Sequence, residues 1–104
     1  MTIDVRGMNL PLSPAMENHA KQRLLSALGR FQGSIRRVLV RIGDLNGPKG
    51  GQAMRCQATV EFSGPGAIVV DHRSHDVYHG VDGLANRLKQ AVRRGLERRR
   101  APRA

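Results

Sequence analysis

Aromatic side chains are scarce in this chain: tryptophan is absent, and Phe31, Phe62 and Tyr78 are the only aromatics in 104 residues. Proteins that read unpaired bases stack them on exposed aromatic platforms, and this sequence has almost nothing to build one from. Cysteine is scarcer still. The lone Cys56 leaves no internal disulfide and suits a reducing compartment. No stretch reaches the roughly 20 apolar residues of a membrane span. Met1-Thr2-Ile3-Asp4-Val5 has neither the basic flank nor the apolar run of a signal peptide. The expected setting is soluble and cytoplasmic, with no membrane partner.

Acid is the remaining shortage. Eight Asp and Glu stand against 18 Lys and Arg, for a formal net charge of +10. A small domain so charged repels itself unless a polyanion neutralises it, which points to nucleic acid. The charge is concentrated at the end of the chain. Arg87, Lys89, Arg93, Arg94, Arg98, Arg99, Arg100 and Arg103 face one acid, Glu97. Arginine predominates there, and its planar fork suits bidentate contact with phosphate.

The chain is long enough for one domain, since single cores commonly run to about 100–200 residues. We expect that domain over 1–100 and a short basic tail over 101–104. Thr2 to Arg6 alternates as a first strand, with Ile3 and Val5 on one face. Ser13-Pro14 then opens a helix: the serine caps free N–H groups, and proline at the first position loses no needed donor. Met16, Ala20, Leu24, Ala27 and Leu28 form its apolar stripe, and Gly29 is expected to close it in the left-handed conformation. Ile35 to Ile42 and Met54 to Phe62 alternate as strands, the latter with Cys56, Ala58, Val60 and Phe62 inward and Arg55, Gln57, Thr59 and Glu61 outward. Such alternation suits an antiparallel sheet that is wet on one face. Between them, Asp44 to Gly51 reads as an exposed hairpin loop. Ser63-Gly64-Pro65-Gly66 turns into a fourth strand carrying Ile68, Val70 and His72. A second helix follows Ser74, with Asp76 at its start. Val77, Val81, Leu84, Leu88, Val92 and Leu96 form one apolar stripe along it. The fold class is α+β in the order βαβββα, a four-stranded sheet with two helices packed on one face.

That order and the segment Asp76-Val77-Tyr78-His79-Gly80-Val81-Asp82-Gly83-Leu84-Ala85-Asn86-Arg87-Leu88-Lys89-Gln90 resemble the ribosome hibernation-promoting factor and ribosome-associated inhibitor family, which includes the sigma-54 modulation proteins. The likeness lies in Asp-x-Tyr at the helix start, Val-Asp-Gly-Leu a turn later, Arg-Leu-Lys-Gln with a basic end, and the opening Val5-Arg6-Gly7-Met8-Asn9. It spans nearly the whole chain. The resemblance implies a fold similar to a double-stranded-RNA-binding domain. It also implies binding to rRNA of the small ribosomal subunit on the tRNA and mRNA path, with inhibition of translation and promotion of ribosome hibernation. Two departures stand out. The glycine-rich stretch Asn46 to Gly51 is longer than the family's usual hairpin. The chain also ends at Ala104, as in the short form that lacks a C-terminal dimerisation domain.

The residues expected to hold phosphate are Lys21, Arg23, Arg30, Arg87, Lys89, Arg94 and Arg98. With few aromatics to stack bases, recognition should rest on phosphates and the shape of folded RNA. A general double-stranded nucleic-acid binder, or a regulator that engages proteins through the open sheet face, are the alternatives. An exposed edge strand also leaves pairing across a two-fold axis open beside the monomer. Tyr78 is expected to fasten the second helix to the sheet, and Gly83 to mark a close helix–strand contact.

Chemistry beyond binding has no support. His75 and His79 are four apart, as zinc ligands on a helix are, but no third ligand accompanies them, and Cys56 reads as a packed thiol. Gly47-Pro48-Lys49-Gly50-Gly51 lacks the Ser or Thr and the following helix of a phosphate-binding loop. No serine has a nucleophile-elbow context, and no paired carboxylates mark a pocket. The protein is read as a non-enzyme with no cofactor, metal or small-molecule substrate.

Overall fold

The structure, a computed structural model, describes residues 1–44 and 54–100. The glycine-rich stretch Asn46 to Gly51, the side chain of Arg100 and the tail 101–104 lie outside the described residues. In chain order the elements are β1 (Thr2–Met8), α1 (Pro14–Leu28), a 3₁₀ segment (Gly29–Ser34), β2 (Ile35–Asp44), β3 (Met54–Phe62), β4 (Ala67–Ser74) and α2 (Val77–Arg100).

Each helix begins where its capping residue dictates. The Ser13 hydroxyl accepts the Met16 N–H at 3.1 Å, and Pro14 occupies the first helical position. Asp76 caps α2, its carboxylate accepting the His79 N–H at 3.2 Å and its carbonyl the Gly80 N–H at 2.8 Å. The end of α1 departs from expectation. Gly29 is right-handed (φ −54°, ψ −38°), and the chain tightens directly into the 3₁₀ segment. Shorter i→i+3 bonds satisfy the terminal carbonyls there, so no left-handed cap is needed. Asp82 and Gly83, weak helix formers, leave α2 unbroken. Their intrinsic cost, up to about 1 kcal/mol for glycine, is small beside burial of Val81, Leu84, Ala85 and Leu88.

The four strands lie in the order β1-β2-β3-β4. β2–β3 and β3–β4 are antiparallel as the alternation predicts, but β1 runs parallel to β2, pairing Ile3 with Val38 and Val5 with Val40. The sheet is therefore mixed. The reason is the connection: a tight turn returns a strand antiparallel, whereas the helical crossover through α1 lays the next strand down parallel.

Both helices cover one face, α1 over β1 and α2 over β3 and β4, with the two helices packed together. Val38, Val40, Ile42, Cys56, Ala58, Val60 and Phe62 meet the helical stripes in a single apolar core that contains no buried polar or charged residue among those described. The opposite sheet face is polar and partly neutralised by its own acids. Arg37 donates to Asp4 at 3.1 Å and Arg55 to Asp71 at 2.7 Å. No described helix is long and apolar enough to cross a membrane.

Candidate nucleic-acid interface

The orientation of α2 is set by two glycines and by contacts on its two flanks. Gly80 and Gly83 face β4: a Cβ on Gly80 would press on Cys56 and Ser74, and one on Gly83 would overlap the His72 ring. On the same flank, Arg87 donates to the backbone carbonyl of Asp71 at 3.3 Å. The other flank meets α1. Asp82 accepts from Arg23 Nε at 2.9 Å and lies 2.9 Å from His19 Nε2, while Tyr78 packs edge-on against His19 with ring centroids 5.0 Å apart. Tyr78 thus fastens helix to helix, not helix to sheet. It stands on the flank that turns toward α1, and it keeps 36% of its surface exposed.

With 3.6 residues per turn, positions seven and eleven further on return to the same flank. Arg94 and Arg98 therefore continue the row begun by Arg87, beside β4. Lys89 and Arg93 continue from Asp82, on the side of α1. All five basic side chains are exposed. Arg99 behaves differently. Its guanidinium lies over the Phe62 ring, 4.3 Å from the centroid, and donates to the Pro65 carbonyl. It pins the end of α2 to the β3–β4 turn. Arg99 lies seven residues beyond Val92, on the buried stripe, and that spacing was the available signal.

Of the residues expected to hold phosphate, Arg87, Arg94 and Arg98 come together in one row and Lys89 lies across the helix from them. Arg23 is half-buried and committed to Asp82. Lys21 is exposed, but it stands two residues from both His19 and Arg23, about 200° around α1 from the flank that meets α2. Arg30 is exposed in the 3₁₀ segment, its guanidinium 5.7 Å from the Phe31 ring centroid. The structure therefore gathers four of the seven on α2 and leaves Lys21 apart.

The acids decide which cations stay available. Asp4 pairs with Arg37, Asp71 with Arg55, Asp82 with Arg23, Asp76 with His79 at 3.2 Å, and Glu61 with Arg36 at 3.9 Å. Among the described residues none pairs with Lys89, Arg93, Arg94 or Arg98. Partial burial is the largest single influence on Asp82 and raises its pKa. The hydrogen bonds and charges of Arg23 and His19 outweigh it, and the carboxyl ends below its ordinary value. Asp71 is likewise held low, chiefly by its bond from Arg55.

A family profile described as sigma 54 modulation protein / S30EA ribosomal protein matches residues 3–100. The chain belongs to this family of ribosome-associated factors. No functionally curated protein matches the sequence. Among the solved structures that share the fold are the following two. A ribosomal subunit interface protein from Coxiella burnetii superposes with a TM-score of 0.77 at 20% identity, covering 93% of this chain and 99% of its own. The N-terminal domain of Protein Y from Thermus thermophilus does so with a TM-score of 0.72 at 23% identity, covering 90% and 98%. These establish the α+β, βαβββα architecture of this family member.

The remaining chemistry is sparse. His75 precedes α2, so it shares no helix face with His79, and no group of three or more metal-ligating side chains forms among the described residues. Cys56 is fully buried opposite His72 in the sheet, and burial pushes its thiol up to about 11. A thiol so placed is a packing residue.

Proposed function

We propose that the protein binds rRNA of the small ribosomal subunit on the tRNA and mRNA path, through the cationic rows of α2. Occupying that path, it inhibits translation and holds idle ribosomes in hibernation. The observation that carries this reading is the uncompensated charge of α2. Acids elsewhere in the fold are spent on Arg23, Arg36, Arg37 and Arg55, whereas Lys89, Arg93, Arg94 and Arg98 have no internal partner among the described residues and Arg87 meets only a backbone carbonyl. Desolvating them is worthwhile only against an external polyanion, and arginine forks match phosphate geometry. Membership of a ribosome-associated family supports rRNA as that polyanion, and the solved proteins that share the fold include a ribosomal subunit interface protein. Inhibition requires no catalytic group, because one body in the path excludes another.

Arg87, Lys89, Arg94 and Arg98 act in this reading as phosphate clamps, with Lys21 and Arg30 as contacts beyond α2. Arg23 takes part through Asp82 as a positioning residue. Co-sedimentation from starved cells is the test. The wild type should travel with the small subunit, and an Arg87/Arg94/Arg98→Glu variant should remain at the top of the gradient. A wild type persistently absent from ribosomal fractions would remove the proposal. Equal gel-shift affinities for rRNA, generic duplex RNA and duplex DNA would turn it into a general duplex binder.

A further inference from the structure

The two cationic rows of α2 do not adjoin. Between Arg87, Arg94 and Arg98 on one side and Lys89 and Arg93 on the other runs a stripe of uncharged and acidic side chains, Asn86, Gln90 and Glu97. These stand four and eleven residues apart, hence within about 40° of one another, with the first row centred about 80° to one side and the second about 60° to the other, where Arg93 borders the stripe. All three are exposed, and none makes a side-chain hydrogen bond or ion pair among the described residues. The stripe is about 16 Å long at 1.5 Å per residue. Building on the ribosomal reading above, we infer that this ridge docks into the minor groove of an RNA duplex, with one cationic row on each phosphate backbone.

The chemistry of the ridge fits that floor. A-form RNA presents a wide, shallow minor groove lined with 2′-hydroxyls that both donate and accept. The amides of Asn86 and Gln90 donate and accept in turn, and the Glu97 carboxylate accepts. A carboxylate in a phosphate-binding row would be repelled; on the ridge it meets hydroxyl donors while the flanking cations take the phosphates. The minor groove of B-form DNA, about 6 Å wide, is too narrow for a helix about 10–12 Å across. Its major groove would admit one but offers no 2′-hydroxyl. The ridge therefore makes Asn86 and Gln90 the residues that distinguish RNA from DNA, while the rows supply affinity without that discrimination.

Fluorescence anisotropy with three duplexes of about 20 base pairs and one sequence tests this: RNA, 2′-O-methylated RNA and DNA. The wild type should prefer unmodified RNA by roughly tenfold over each of the others, the loss expected for about two hydrogen bonds. An Asn86→Ala/Gln90→Ala variant should lose that preference yet keep the wild-type salt dependence. Both positions are exposed and alanine is the better helix former, so the variant folds. An Arg94→Gln/Arg98→Gln variant should bind all three duplexes more weakly with the preference intact. Equal wild-type affinities, or a preference that survives in the ridge variant, would overturn the inference. The ribosomal reading is judged separately by whether the Arg87/Arg94/Arg98→Glu variant still sediments with small subunits.

Discussion

Gly83 is where a single missing side chain sets the height of α2 above the sheet. The His72 imidazole fills the space a Cβ would take, and its Nδ1 is buried with no hydrogen-bond partner, so the ring has little room to retreat. Two effects oppose each other in Gly83→Ala. Helix propensity favours alanine by about 1 kcal/mol, while overpacking costs about 1–3 kcal/mol. We expect the clash to win by about 1–2 kcal/mol, read as a lower denaturation midpoint with an unchanged slope. Adding His72→Ala should recover much of the overpacking cost, and a double-mutant cycle would show the coupling. A close helix–strand contact at Gly83 was legible in the sequence, because a poor helix former inside a helix needs a packing reason. That His72 lies beneath it was not, since this depends on how β4 registers against β3. Tyr78 shows the same limit: an anchoring role could be read, but not whether sheet or helix receives it. Cys56 should react with thiol reagents only on unfolding, because its thiol is sealed and its pKa raised.

Between elements, the Asp82 clasp fixes how α1 lies against α2. Its partner Arg23 is 59 residues away in sequence, so no local pattern could reveal that this arginine is tied to α2. The caps at Ser13 and Asp76 and the buried stripes were legible because they are local. The parallel placement of β1 and the 3₁₀ exit from α1 depend on how the chain crosses over, which alternation alone does not encode. The clasp has a pH signature. The carboxyl of Asp82 is held below its unfolded value, so the folded state binds its proton less readily. Its contribution is complete above the unfolded pKa, near 3.8, and is lost as pH falls through the folded value. Asp82 is 41% exposed, and solvent screening limits the effect to about 1 kcal/mol or less. Asp82→Asn should therefore be less stable than wild type at pH 6 by that amount, and the gap should close on acidification below about pH 4. A gap that is constant through this range would show that the carboxylate contributes no charge-dependent stability.

At the scale of the whole molecule, the net charge of +10 matters less than its allocation. Acids neutralise Arg37 and Arg55 on the open sheet face and Arg23 in the seam between the helices. Among the described residues, unpaired cations line the outer flanks of α2, with Arg6, Arg41 and Arg73 also unpaired on the sheet. The sequence made the excess and its helix plain, since the arginines cluster along one segment. It could not show which of them are spent internally. Arg99 is held by Phe62 and Pro65, and Arg23 by Asp82, whereas the two rows meet no acid among the described residues and only Arg87 touches the fold, at the Asp71 carbonyl. The central claim, that these rows grip ribosomal phosphates, has a direct thermodynamic signature in counterion release. The decisive measurement is the salt dependence of affinity for purified small ribosomal subunits, for wild type and for an Arg87/Arg94/Arg98→Gln variant. With roughly six phosphates neutralised, the log–log slope for wild type should be about −5, and removing three contacts should bring it to about −2 to −3. A wild-type slope near zero, or a variant slope equal to that of wild type, would contradict the account.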